Sequence, residues 1–221
     1  MPEVLRPFIA LPGYGICALI VLLLYAIQSE IRFGARARTM AAGPEDRGST
    51  WAVGLCSAVP VIGFVLAMKT RISPGLRLMP GMPDIAWVGV GVGALGLLIR
   101  LWSVLTLRDR YTRTLLVGTS HTFERSGPYR FVRHPGYLGS LLTLNGIALA
   151  SGDLLTLIVS MAVTSAAYAY RISVEDAMLV SRFGAEYRWY REQVGALLPF
   201  GSSLHSDYGS TRHQSCETRE R

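Results

Sequence analysis

The sequence predicts an all-α integral membrane protein with about five transmembrane helices, one pair of them a short helical hairpin, plus a cytoplasmic amphipathic helix towards the C-terminus. Three observations carry this expectation. Half of the 221 residues are hydrophobic, more than an ordinary soluble domain of this length uses. Several apolar runs reach or approach the ~20 residues needed to cross a bilayer. Lys and Arg number 22 against 15 Asp and Glu, a formal charge of +7, and they gather between the apolar runs. A basic excess often marks nucleic-acid binding, but this placement in loops fits membrane topology better.

The first span runs from about Phe8 to Ile27. No basic region or A-x-A site precedes it, so it reads as a retained span rather than a signal peptide. Ser29 to Thr50 is a polar loop with Arg32, Arg36, Arg38 and Arg47. The second span, Trp51 to Met68, contains Pro60, which predicts a kink. Lys69 to Asp84 is a proline-rich loop, and Ile85 to Leu107 is the third span. Arg108 to Arg133 is polar and basic. Tyr137 to Ala150 and Leu154 to Tyr170 are apolar runs joined by the turn signal Ser151-Gly152-Asp153. The first of these is short for a full crossing, which predicts a hairpin. From Ile172 to Val194 apolar residues recur at helical spacing among Arg182, Glu186, Arg188 and Arg191, as in an amphipathic helix bent near Gly184. The tail from Gly201 is polar, expected to be disordered, and ends without a prenylation box.

The organisation expected is therefore two N-terminal spans with their loops (1–84), a core of three spans, a loop at 108–136 and a helix at 171–195 (85–200), and a tail (201–221). Basic residues are more numerous in the segments lying inside if 108–133 is cytoplasmic. The N-terminus is then outside and the C-terminal region cytoplasmic.

Gly91-Val-Gly93-Ala-Leu-Gly96 matches G-x-G-x-x-G. A dinucleotide site needs a strand before those glycines and a helix opening at them. Here they lie inside a long apolar run, so Gly89 and Gly93, at GxxxG spacing, predict close helix approach instead. Arg100 lies in the same run. A charge at membrane depth costs about 2.5–3.5 kcal/mol, so it either faces protein or water or snorkels to the interface. Cys17, Cys56 and Cys216 form no CxxC. His121 and His134 have no cysteine near them and no HExxH, which argues against a metal. The absence of G-x-S-x-G argues against a serine hydrolase.

Two stretches hold the chemistry. His121 to Gly139 reads HTFERSGPYRFVRHPGYLG. Pro135 biases His134 towards an extended backbone and suits the first turn of a following helix, whose N-terminus offers N–H groups to a polar ligand. Tyr129 and Tyr137 offer flat faces for stacking. Arg171 to Tyr190 reads RISVEDAMLVSRFGAEYRWY. It sets Arg171 and Glu175 on one helical face, in the less favourable order for a helix pair. With Asp176, both signs of charge meet there, which suits a zwitterionic ligand.

These stretches resemble the isoprenylcysteine carboxyl methyltransferase family, whose loop runs approximately H-x-L-V-x-x-G-x-Y-x-x-x-R-H-P-x-Y-x-G and whose following helix carries E-E-x-x-L-x-x-x-F-G-x-E-Y-x-x-Y. The second is met by Glu175-Asp176, Leu179, Phe183-Gly184, Glu186-Tyr187 and Tyr190. The resemblance covers about Ile85 to Phe200. It implies a membrane-embedded methyltransferase that uses S-adenosylmethionine without a Rossmann domain. It also implies that His121, Thr122, Phe123, Glu124, Tyr129, His134, Pro135, Gly136, Tyr137 and Glu175 contact the cofactor, that Arg171 holds the substrate carboxylate, and that Arg100 is the family's membrane-embedded arginine. Phe123-Glu124 stands where the family has Leu-Val, and Asp176 where it has a second Glu.

The implied partners are a lipophilic, prenylcysteine-like carboxylate and membrane lipid, with no nucleic acid and no metal. A terminal carboxylate, with a reference pKa near ~3.5, is already ionised at neutral pH. It needs orientation rather than a general base, and an arginine fork suits it better than lysine. Two other readings remain open at this point. One is a methyltransferase of the same architecture acting on a phospholipid amine, a thiol or a small isoprenoid. The other is a non-enzymatic scaffold whose basic loops bind anionic lipid.

Overall fold

The computed structural model describes residues 46–70, 84–107 and 123–199. The expected first span and the C-terminal tail lie outside these residues. Among the described residues there are six α-helices and no β-strand: α1 (Ser49–Cys56), α2 (Ala58–Thr70), α3 (Asp84–Leu107), α4 (Pro135–Ala150), α5 (Leu154–Phe183) and α6 (Ala185–Gln193), with a 3-10 turn at Gly127–Arg130.

Three stretches are long and apolar enough to cross a membrane: Ser49–Ala67, Ile85–Leu107 and Leu154–Phe183. Their large side chains point outwards. Leu55, Ile62, Val88, Leu98, Leu105 and Ile158 are all more than half exposed, while Thr143, Ser160 and Thr164 are fully buried. A bilayer explains the inversion. Lipid solvates leucine as well as protein does, so the interior is chosen for close approach and hydrogen bonding. The Asn145 amide donates to the Leu141 carbonyl and to Thr164 Oγ1, and the Ser160 hydroxyl donates to Asn145 Oδ1, fastening α4 to α5.

The glycines of α3 do what GxxxG spacing predicts. A methyl on Gly89 would lie 2.4 Å from the Ala150 nitrogen, and one on Gly96 would lie 2.6 Å from the Gly139 carbonyl oxygen. From the α4 side, a methyl on Gly146 would lie 2.5 Å from the Gly93 nitrogen. Gly91 faces open space. The G-x-G-x-x-G match therefore mixes packing glycines with one on the outer face, in the middle of a helix.

Pro60 has the expected effect. The second span is broken at Ser57 into α1 and α2, within one turn before the proline, where its ring would clash with the carbonyl four residues back. The hairpin is also present. α4 has 16 residues, about 24 Å, and Ser151-Gly152-Asp153 turns the chain into α5. Gly152 has φ 69°, and the Asp153 carboxylate caps α5 by accepting from the Thr156 amide at 2.7 Å.

One boundary differs from expectation. The span at 154–170 and the helix from 171 are one continuous helix, because nothing between them breaks the backbone ladder. At 30 residues, about 45 Å, α5 outruns the ~30 Å hydrocarbon layer, so its last third projects beyond it. The expected bend falls at Gly184, with φ 58° and ψ −126°, a conformation that favours glycine.

Candidate active site

Four chain segments meet at the end of the bundle where α5 emerges: the turn before α1, the end of α3, the loop leading into α4, and the last third of α5 with α6. The loop is fixed at several points. A methyl on Gly127 (φ 56°) would touch Thr106 at 2.9 Å, so the chain passes close against the end of α3. The Tyr129 hydroxyl lies 2.6 Å from Ser103 Oγ. The Tyr190 hydroxyl donates to the Tyr129 carbonyl at 2.5 Å. Phe123 sits among Phe183, Tyr187 and Tyr190, each ring centroid 5.2 Å away, with the Arg125 guanidinium 4.3 Å from its own. Glu124 turns back on the loop, accepting from the Arg125 and Ser126 amides.

His134 precedes α4 and is buried. Its Nε2–H donates to Asp176 Oδ1 at 3.0 Å, and its Nδ1 lies 3.6 Å from Glu175 Oε2. Asp176 also accepts from Arg133 at 3.0 Å and from the Tyr187 hydroxyl at 2.5 Å. It therefore organises the loop, where the sequence suggested a ligand-facing charge. The expected free N–H groups are mostly taken up: the amides of Arg133 and His134 donate to the Gly195 and Ala196 carbonyls, and those of Tyr137 and Leu138 donate to the His134 carbonyl.

The Tyr137 ring stacks on His134, with centroids 5.4 Å apart and planes 9° from parallel. Its hydroxyl accepts from Arg171 Nε at 3.0 Å. Arg171 Nη1 donates to Asp46 Oδ1 at 2.5 Å, and to Ser49 Oγ and Thr50 Oγ1 at 2.7 Å each. Both charges are buried, with side chains 5% and 1% exposed. Burial raises the Asp46 carboxyl pKa, but hydrogen bonds from Thr50 and Ser49 and the Arg171 charge outweigh it and hold the group below the usual carboxylate range. Burial raises Tyr187 well above a free phenol, and the Asp176 charge adds to it. Burial also pushes Tyr190 up to about 12.

The structure thus brings Tyr137, His134, Arg171 and Glu175 together, with Pro135 and Gly136 opening α4 beside them. Arg100 faces protein, donating to Ser140 Oγ on the α3 side of α4, whereas Arg171 approaches α4 from the α5 side. Phe123, Glu124 and Tyr129 lie along the loop and hold it in place. His121 and Thr122 lie outside the described residues. Sequence reasoning missed Asp46 and misread Asp176. For Asp46 a signal was present: Asp46 followed by Ser49-Thr50 directly before an apolar run is a helix-start pattern. Among the described residues, no group of three or more His, Cys, Asp or Glu side chains is placed to hold a metal.

Apolar helices with outward-facing side chains, an interior of small and hydroxyl residues, and a charged cluster where the longest helix leaves the bundle define an integral membrane protein with a polar site at the membrane boundary. A solved structure of the eukaryotic intramembrane Ras methyltransferase, an isoprenylcysteine carboxyl methyltransferase, has the same fold. Its TM-score is 0.65 at 22% identity, over 86% of this chain and 67% of that one. The model of the isoprenylcysteine carboxyl methyltransferase family matches residues 89–181, a range that takes in most of α3, all of α4 and the site-bearing part of α5. Over those residues the chain is similar to this family. A probable protein-S-isoprenylcysteine O-methyltransferase of Oryza sativa subsp. indica is 28% identical over 182 residues, 80% of this chain and 95% of that protein. The protein-S-isoprenylcysteine O-methyltransferase of Tribolium castaneum is 31% identical over 129 residues, 55% of this chain and 45% of that protein.

Proposed function

We propose that this chain is a carboxyl O-methyltransferase that uses S-adenosylmethionine to esterify the terminal carboxylate of a prenylated cysteine at the membrane surface. The observation that carries this reading is the Arg171 guanidinium: it is buried at the membrane boundary and bound to a carboxylate. Its Nε is aligned by Tyr137, beside the loop that bears the family pattern. A relative spanning 80% of the chain bears the name of that activity.

The residues present suit the cofactor. Glu175 Oε2 is buried without a hydrogen-bond partner, a situation that is costly unless a donor arrives, and a ribose hydroxyl or an amine is such a donor. Glu175, His134 and the Tyr137 ring would hold the cofactor, together with backbone of the loop from His121 to Gly136. When bound, S-adenosylmethionine supplies a sulfonium methyl that passes to a carboxylate oxygen, a C–S bond breaking as a C–O bond forms, so both charges cancel and no proton moves. The chain's own contribution is positioning. Arg171 fixes the carboxylate and the buried surroundings strip its water, and orientation of this kind supplies roughly 7–11 kcal/mol of a barrier. Arg100 on the other flank of α4 adds positive potential to the same end. The site faces the cytoplasm, residues 85–200 form the catalytic core, and the prenyl chain enters sideways from the bilayer.

The test is methyl transfer from labelled cofactor to a prenylated cysteine, phosphatidylethanolamine and a small thiol. Esterification of the prenylcysteine is expected, with a rate nearly flat from about pH 6 to 9 because the acceptor is ionised throughout. A rate that climbs with pH on an amine or thiol would refute the reading. Arg171→Lys keeps the charge but loses the fork, and should lower kcat/KM on the carboxylate by about 30-fold or more.

A further inference from the structure

Asp46 has no part in the reaction just described, yet it is the most completely enclosed charge of the site. We propose that its carboxylate is an in-chain stand-in for the carboxylate of the acceptor, occupying Arg171 while the site is empty and swinging off when the acceptor binds. This rests on the carboxylate-acceptor reading above and adds a built-in competitor to it.

The first argument is electrostatic. Arg171 is buried, and a buried guanidinium without an anion is strongly unfavourable. In the resting site Asp46 supplies that anion at 2.5 Å, inside a collar of Ser49 and Thr50 hydroxyls. An arriving carboxylate on the same guanidinium would meet Asp46 at close range, and two carboxylates sharing one site do not both stay ionised comfortably. Asp46 and the acceptor therefore exclude one another.

The second argument is conformational. Asp46 is followed by Arg47 with φ 47° and Gly48 with φ 75°. Glycine adopts such angles freely, but a residue with a Cβ does so at a cost. Among the described residues the turn is held by bonds between Asp46 and Arg171, Ser49 and Thr50, together with one from the Tyr170 hydroxyl to the Arg47 carbonyl at 2.8 Å. Strain that persists only because surrounding contacts impose it marks an element with a second position.

The third argument is space. A cavity of about 540 Å³ adjoins the turn, lined by Arg47, Tyr170, Val174, Ala177, Met178 and Arg182 among others. The turn can move into it, where Arg182 is the one charged side chain from outside the turn among the described lining residues. While the turn is closed the protein binds acceptor only in proportion to its open fraction.

The experiment uses the full chain in lipid nanodiscs, with S-farnesyl-cysteine and its methyl ester as probes. Asp46→Asn keeps the size and removes the charge. It should bind the acid about tenfold more tightly while leaving the ester unchanged, and in turnover the acceptor KM should fall by more than any change in kcat. Weaker binding of the acid, an equal shift of acid and ester, or no binding of the acid to any form would overturn the proposal and leave Asp46 as a fixed structural partner. Arg47→Gly against Arg47→Ala carries the same test with Asp46 intact. Both lack the guanidinium, but glycine relieves the strained φ and stabilises the closed turn. The glycine form should bind the acid about fivefold more weakly than the alanine form, and equal affinities would overturn the idea. Failure of the methyltransferase reading looks different: the acid binds with these differences but is never esterified.

Discussion

Asp176 and Asp46 both pair with an arginine, a partly buried one on the loop and a buried one on α5, and the sequence signals them very differently. Asp176 adjoins Glu175 in the chain, but successive residues of a helix point about 100° apart. Glu175 accordingly faces the Nδ1 edge of His134 at 3.6 Å, while Asp176 gathers Arg133, His134 and Tyr187. Removing it leaves Arg133 and the buried His134 without their carboxylate. Asp176→Ala should therefore lose about 3–5 kcal/mol of stability, read as a large drop in melting temperature in detergent, whereas Asp176→Asn keeps the shape and should lose less. A melting temperature unchanged by Asp176→Ala would mean that the cluster does not hold the loop. The Asp46–Arg171 pair spans 125 residues, and no periodicity connects two such positions, so only the helix-start pattern around Asp46 was readable. The Asp46 carboxyl titrates below its usual 3.8. Its stabilising contribution is present above that value and lost as pH falls through the folded-state value, so protonation does not break the resting pair across the working range.

Helix α3 was largely legible and its partner surface was not. GxxxG spacing predicts that something comes close, and the turn signal at Ser151–Asp153 predicts a hairpin. Neither says that Gly139 and Gly146 of α4 are the residues that receive Gly96 and Gly93. Pro60 and Gly184 were readable because each acts through its own backbone. The continuity of α5 was hidden because its surroundings change from lipid to protein and water at about Tyr170, which alters the residue pattern without altering the helix. The α3–α4 contact makes a sharp comparison. Gly96→Leu puts a side chain against backbone at 2.6 Å and should destabilise by about 1–3 kcal/mol or more, splaying α4 and disturbing the first turn that carries Tyr137. Gly91→Leu, on the open face, should be neutral in both melting temperature and methyl transfer. Equal effects from the two substitutions would show that the helices do not approach as closely as this.

At the scale of the whole molecule the charge distribution predicts the direction of insertion. The contacts of Asp46 with Arg171, Gly127 with Thr106 and Tyr129 with Ser103 place the start of α1, the end of α3, the start of α4 and the end of α5 at one end of the bundle. Arg47, Arg125, Arg130, Arg133, Arg182, Arg188 and Arg191 all belong to the segments at that end. The Ser151–Asp153 turn at the other end carries no basic residue, and the end of α2 with the segment leading to α3 carries three, Lys69, Arg71 and Arg77, fewer than the site end. Positively charged flanks are retained in the cytoplasm, so the site should open there, as the proposed function requires. In a background freed of its native cysteines, Ser126→Cys on the loop should react with a membrane-impermeant thiol reagent only after the membrane is permeabilised, and Ser151→Cys on the hairpin turn should react in intact cells. Ser126 is exposed, so a failure of its cysteine to label even after permeabilisation would count against the docked loop. Labelling in the reverse order would invert the topology and remove the site from the cytoplasm, whatever its chemistry.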